Sequence, residues 1–69
     1  MRDPNRLEDF YGQMKEIHIK YFPELRFGQL MSNFFGWLMV ERKRDLFFPE
    51  EDEMMRHFED YAKTHSQWS

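Results

Sequence analysis

The segment that decides the fold is residues 25–53, which read LRFGQLMSNFFGWLMVERKRDLFFPEEDE. It combines many aromatic residues, small residues at a regular spacing and an abrupt change from basic to acidic charge. A helix formed by its first part is apolar over more of its circumference than a lone amphipathic helix requires. We therefore expect the excess apolar surface to be buried, either within this chain or against another.

The middle helix is predicted over about residues 25–41. Its apolar stripe follows the helical period of three and four residues and comprises Phe27, Leu30, Met31, Phe34, Phe35 and Leu38. Near the C-terminal end the stripe widens almost to a full circle through Trp37, Met39 and Val40. Small residues spaced by four run along one side at Gly28, Ser32 and Gly36. Because glycine costs a helix about 1 kcal/mol relative to alanine, we expect another backbone or a large ring to pack closely there.

Two further helices are predicted on either side. The first covers about residues 3–21, with Asp3 as an N-cap and Pro4 in the first turn, and it ends near Pro23. Its apolar stripe comprises Leu7, Phe10, Tyr11, Met14, Ile17, His18 and Tyr21. The third covers about residues 50–64 and begins after Pro49 with acidic residues, which stabilise the positive end of a helix dipole. Residues 45–48 are predicted as an extended connection whose aromatic side chains pack against the bundle.

These elements predict an all-α fold, a compact three-helix bundle with an aromatic core and with the middle helix at its centre. Residues 1–69 form one small helical domain, in which Trp68 is expected to fold back onto the bundle. A chain of this length buries only about 60% of its unfolded surface. The sequence has no cysteine, which excludes disulfides and thiolate zinc sites. Aromatic bulk and self-association are therefore the expected sources of additional stability.

The charge and hydropathy of the sequence argue against several classes of function. The formal net charge is −3, with both signs interspersed, whereas a general nucleic-acid binder is normally basic. The first residues are polar and lack the apolar core of a signal peptide, and the apolar run at residues 34–40 is too short to span a bilayer. We expect a cytoplasmic protein with no membrane partner.

Two separated motifs carry a resemblance to known proteins. The first is PELRFGQL at residues 23–30 with Asn33 after it, and the second is DLFFPEEDE at residues 45–53. Together they resemble a group of small bacterial and prophage-associated proteins that carry a PDLRxGQL…N segment followed by a DxFYxEDDE-like segment. The chain departs from that pattern at Phe48 and Pro49. The resemblance implies a small helical protein of phage origin, and it implies no mechanism.

Two charged runs each allow more than one interpretation. The acidic run consists of Glu50, Glu51, Asp52 and Glu53. It is suited to a cation, to mimicry of phosphates or to a basic protein surface, but acids at this position ordinarily serve the helix dipole. The basic run consists of Arg42, Lys43 and Arg44. It is suited to phosphates, to a solvated helix end or to pairing with the acidic run across the connection.

The residues do not predict catalysis, a metal or a cofactor. Glu53 and His57 have the i, i+4 spacing of a metal-binding pair, but no third ligand clearly joins them. We interpret His18 as a histidine at the edge of the core with one hydrogen-bond partner. The sequence has no cysteine nucleophile and no glycine-rich phosphate loop, and so small a domain has little room for a substrate pocket.

The leading hypothesis is a non-enzymatic protein-interaction module, a phage or prophage accessory protein that binds a protein partner or a second copy of itself. Its candidate partner-binding residues are Trp37, Met39, Val40, Gly28, Ser32 and Gly36, and its candidate charged contacts are the two charged runs. The alternative for all six partner-binding residues is packing inside the monomer. If Trp37 is at an interface, Trp37→Ala weakens association and leaves helicity largely intact.

A second hypothesis is a small helix-turn-helix-like DNA-binding regulator. It places four cations on phosphates, namely Arg26, Arg42, Lys43 and Arg44. Only Gln29 and Asn33 on the middle helix suit the reading of base edges.

Overall fold

The computed structural model describes residues 3–66, and these residues form three helices, α1 (Asn5–Tyr21), α2 (Phe27–Val40) and α3 (Glu51–His65). The predicted all-α three-helix bundle with an aromatic core is confirmed. Each predicted boundary lies within two residues of the observed one. Trp68 lies outside the described residues.

Local hydrogen bonds explain where the helices begin. Helix α1 begins at Asn5, so the N-cap is Pro4 and the prediction of Asp3 at that position was wrong. The Asn5 N–H donates to the Asp3 carboxylate at 2.9 Å. Helix α2 begins two residues later than predicted because Arg26 is still extended, and the Arg26 N–H donates to the side-chain oxygen of Gln29 at 2.8 Å. Helix α3 follows an extended Glu50 and has three acids in its first turn.

The order of packing differs from the prediction. Within the described residues, the backbone of α3 approaches both α1 and α2, whereas the backbones of α1 and α2 do not approach each other. The prediction that α2 is central was therefore wrong, and α3 holds that place. The breadth of apolar surface on α2 does not reflect contact with two helices, because part of that surface faces solvent.

The core lies where α3 meets the other two helices. Leu30, Leu38 and Phe58 are fully buried. The ring of Phe34 packs against Phe58 and Tyr61, with centroid distances of 4.8 and 5.6 Å. Burial raises the pKa of the Tyr61 hydroxyl above its ordinary value. The aromatic cluster thus joins α2 to α3.

The three helices are also short and mixed in polarity. None of the helices within residues 3–66 has the length and apolar character that crossing a bilayer requires.

Candidate protein-interaction site

An open groove of about 390 Å³ lies between α1 and α2, where their backbones are apart. Its floor is formed by buried or half-buried side chains, namely Met31, Phe34, Met54 and Phe58. Its walls and rim are lined by Phe10, Tyr11, Met14, Phe27, Phe35, Leu46, Phe47, Pro49 and Glu51. Nearly all of these side chains are apolar, so the groove is suited to apolar groups of a partner.

The rim of this groove exposes large apolar side chains. Tyr11 is 59% exposed, Phe27 is 65% exposed and Phe47 is 86% exposed. The predictions that Tyr11 and Phe27 belong to buried stripes were therefore wrong. Both residues follow the helical period, but within residues 3–66 the backbones of α1 and α2 do not approach each other, so neither helix covers these side chains.

The connection between α2 and α3 forms a protrusion beside the groove. Phe47 and Phe48 are 86% and 73% exposed, so the prediction that these aromatics pack against the bundle was wrong. The physical reason is a local turn, in which the N–H groups of Phe47 and Phe48 both donate to one Asp45 carboxylate oxygen at 2.9 and 2.8 Å. The Phe48 N–H, followed by that of Phe47, lowers the pKa of Asp45.

A bidentate ion pair anchors this connection to α3. The Arg44 guanidinium donates to both carboxylate oxygens of Glu53, at 2.6 and 2.9 Å. These hydrogen bonds lower the pKa of the Glu53 carboxyl. Of the three interpretations of the basic run, pairing with the acidic run holds for Arg44 and Glu53. Lys43 precedes them with a φ of 55°, which turns the chain out of α2.

The other members of the charged runs have different surroundings. Arg42 donates to Asp60 at 3.1 Å and lies over the Trp37 ring at 4.7 Å. Glu51 accepts from Arg6 of α1 at 2.8 Å, which ties α1 to α3. Lys43 and Glu50 are exposed, and Asp52 accepts the N–H of Glu53 at 2.8 Å.

Trp37 lies at the edge of the core. Its ring is 5.3 Å from Tyr61, 5.7 Å from His65 and 6.1 Å from Phe34, measured between ring centroids. The Arg42 guanidinium also lies over this ring, and Trp37 is half-buried inside the monomer. Of the two interpretations of Trp37, these contacts favour intramolecular packing.

Met39 and Val40 do not share the surroundings of Trp37. They are 49% and 69% exposed and lie on the side of α2 that faces solvent. The line of small residues lies on this side as well, and Ser32 is exposed. A methyl group placed on Gly28 or Gly36 would lie in open space, with no atom within 4 Å beyond the helix's own backbone. Close packing inside the monomer is therefore not the reason for these glycines, and a seam with another helix stays a prediction.

The histidines take structural positions. His18 Nε2 lies 2.8 Å from the Leu25 carbonyl, which confirms the expected single partner at the edge of the core. His57 lies between Arg42 and Glu53, at 3.2 and 3.4 Å. Across residues 3–66, no three histidine or acidic side chains converge in the way that a metal ion requires.

Sequence reasoning missed the groove and its rim, Tyr11, Phe27, Leu46 and Phe47. One signal was present: residues 46–48 are apolar in a segment with no helical or strand period, between a helix end and Pro49. Such a segment has no face that the pattern assigns to the core. Whether it folds back or protrudes depends on side-chain hydrogen bonds such as those of Asp45, which the pattern does not contain.

Comparisons with known proteins add no family. No protein-family model, no curated protein and no solved structure matches this chain.

Proposed function

We propose that this chain is a small protein-interaction module that acts by binding, without catalysis or a cofactor, and that it binds through the groove between α1 and α2. The observation that carries the proposal is the exposed aromatic rim, in which Tyr11, Phe27 and Phe47 are each more than half exposed around one apolar concavity. Small proteins rarely leave contiguous apolar surface open without a partner. The proposed partner is a protein segment that presents apolar side chains.

The proposed binding surface does not include Trp37, which was the leading candidate from the sequence. Aromatic residues anchor interfaces when they are free to enter or form a pocket, and Trp37 is engaged with Tyr61 and Arg42. Phe47 and Phe27 have the same chemical character and are open to solvent. A cytoplasmic location and an accessory role in a phage or prophage belong to the same proposal, and both rest on the sequence alone.

The DNA-binding alternative is favoured by no observation in the described residues. Two of the four cations that it needs, Arg42 and Arg44, are paired with carboxylates of α3. The solvent-facing side of α2 presents Gln29, Asn33, Met39 and Val40, which supply no positive charge. A phosphate-binding surface requires cations that are available to phosphates.

The test is capture of a partner by matched variants. Tagged wild-type protein, Phe47→Ser and Ile19→Ser are used to capture proteins from a bacterial host lysate with and without nuclease, and bound proteins are quantified by mass spectrometry. Ile19 is 62% exposed and does not line the groove, so Ile19→Ser removes a comparable apolar side chain elsewhere.

The proposal predicts that a stoichiometric protein, either a host protein or an untagged copy of this chain added to the lysate, is captured and survives nuclease. Its captured amount should be unchanged with Ile19→Ser and fall at least about tenfold with Phe47→Ser. Equal capture by all three proteins would contradict the proposed surface. Capture that disappears with nuclease would favour the nucleic-acid alternative.

A further inference from the structure

The groove and the exposed aromatic pair beside it are both apolar. The groove is a concavity of about 390 Å³ with an apolar floor, and Leu46 and Phe47 form part of its rim. The rings of Phe47 and Phe48 contact each other edge to face at 5.1 Å, and they are 86% and 73% exposed. One surface of the molecule therefore carries both an apolar projection and an apolar recess.

A surface that carries both an apolar projection and an apolar recess is suited to a two-fold interface. In a two-fold dimer the same patch is used by both subunits, so residue i of one contacts residue j of the other and the reverse contact is also made. A patch with a projection next to a recess satisfies this condition, because each projection fills the other copy's recess. We propose that the occupant of the groove is a second copy of this chain, with its Phe47–Phe48 pair inserted between α1 and α2. This proposal rests on the proposed function, since it names the partner of the same surface.

The exposed aromatic area supplies roughly two thirds of the area that each partner buries in a standard interface. At about 200 Å² for each aromatic side chain, the exposed parts of Tyr11, Phe27, Phe47 and Phe48 amount to roughly 550 Å² per molecule. A standard interface buries about 800 Å² per partner. The half-buried groove walls and Leu46, which is 38% exposed, supply additional apolar area at the same patch.

The projection is also held in place before it binds. Asp45 accepts the N–H groups of both phenylalanines, and Arg44 ties the connection to Glu53. Pro49 fixes the backbone after the pair. A segment that is already ordered loses less conformational entropy on association, so more of the apolar contact is retained as affinity.

Dimerisation would also stabilise the fold, which is a second argument for a second copy as the occupant. A domain of this size has a small core, and oligomerisation is one of the usual ways in which such domains gain stability. Pairing of two copies covers the aromatic residues that the monomer leaves open. Each copy has a formal net charge of −3, so added salt screens their repulsion and does not weaken an apolar dimer.

The experiment is sedimentation equilibrium of wild type, Phe47→Ser, Val40→Ser and Ile19→Ser from about 1 to 500 µM, at low and high salt. Circular dichroism checks that each variant is folded. Wild type is expected to approach twice the 8.7 kDa chain mass and to keep its affinity at high salt. Phe47→Ser is expected to raise the dissociation constant at least about tenfold, while Val40→Ser and Ile19→Ser leave it unchanged.

The outcomes separate the two proposals. A dimer lost with Val40→Ser and kept with Phe47→Ser would place self-association on the solvent-facing side of α2 and overturn the inference. A wild type that is monomeric over the whole range would also overturn it. In that case Phe47-dependent capture of another protein would leave the proposed function standing, and its absence would remove both.

Discussion

Phe34 and Phe47 have the same side chain in the same aromatic-rich segment, yet their surroundings are opposite. Phe34 is 2% exposed and lies among the rings of α3, whereas Phe47 is 86% exposed on the connection. The helical period directs Phe34 toward a neighbouring helix, whereas the Phe47 N–H donates to Asp45 in a turn that leaves the Phe47 ring exposed. Apolar character alone does not decide burial, because a side chain also needs a neighbouring element on the side to which it points.

The largest change in stability is expected from a substitution in the aromatic cluster between α2 and α3. Phe58→Ala leaves a cavity beside Phe34, so it should lower the free energy of unfolding by about 3–5 kcal/mol, a large part of the stability of a small domain. Phe58→Leu, which fills most of the space, should cost less. Urea unfolding followed by circular dichroism measures both. A loss below about 1 kcal/mol for Phe58→Ala would mean that the α2–α3 cluster is not the core.

An intermediate effect is expected at Trp37. Its ring contacts Tyr61, Phe34 and Arg42 but is only half-buried, so Trp37→Ala should cost about 2 kcal/mol. The thermal midpoint of unfolding measures this loss. Arg42→Gln, which removes only the cation over the ring and its bond to Asp60, should cost less. If Trp37→Ala instead kept full stability and abolished association, the first interpretation of Trp37 as a binding residue would be restored.

The anchor of the connection predicts a dependence on pH. Hydrogen bonds from Arg44 lower the pKa of Glu53, so their stabilising contribution is fully present above about pH 4.3, the ordinary pKa of a glutamate. The contribution is lost as the pH falls through the lowered pKa of the folded state. The difference in urea midpoint between wild type and Glu53→Gln should therefore shrink from pH 7 to pH 3. Exposed Glu16→Gln is the matched control, and a constant difference for Glu53→Gln would contradict this role of the pair.

The smallest change in the free energy of unfolding is expected from substitutions of Lys43. Its φ of 55° lies in the left-handed region, which a glycine adopts without strain. Relief of that strain exceeds the greater entropy that glycine gives the unfolded chain, so Lys43→Gly should raise the unfolding free energy by about 0.5 kcal/mol. Lys43→Val should lower it. If both changes lowered the urea midpoint equally, the backbone of Lys43 would not be under strain.

The comparison of Phe34 with Phe47 also explains which features of the fold could be predicted from the sequence. The three helices and the burial of Phe34 could be predicted, because helical period and proline positions act locally. The charge pattern offered pairing of the basic and acidic runs as one of several alternatives and did not single out Arg44 and Glu53. The central place of α3 and the exposure of Phe27 could not, because they depend on which helices meet. Gly28 and Gly36 show the same limit, since small residues at this spacing look alike inside a bundle and on its surface.

The central claim is that residues 25–53 divide into a helix with a buried face and an exposed aromatic connection. Hydroxyl-radical footprinting of the wild type, read residue by residue with mass spectrometry, tests this claim most directly. At about 1 µM, a concentration chosen to keep the chain monomeric, Phe47 and Phe48 should be oxidised rapidly, while Phe34 and Phe58 are protected. At high concentration, Phe47 should become protected if the groove holds a second copy. Protection of Phe47 equal to that of Phe34 at the low concentration would contradict the account, because the connection would then be part of the core.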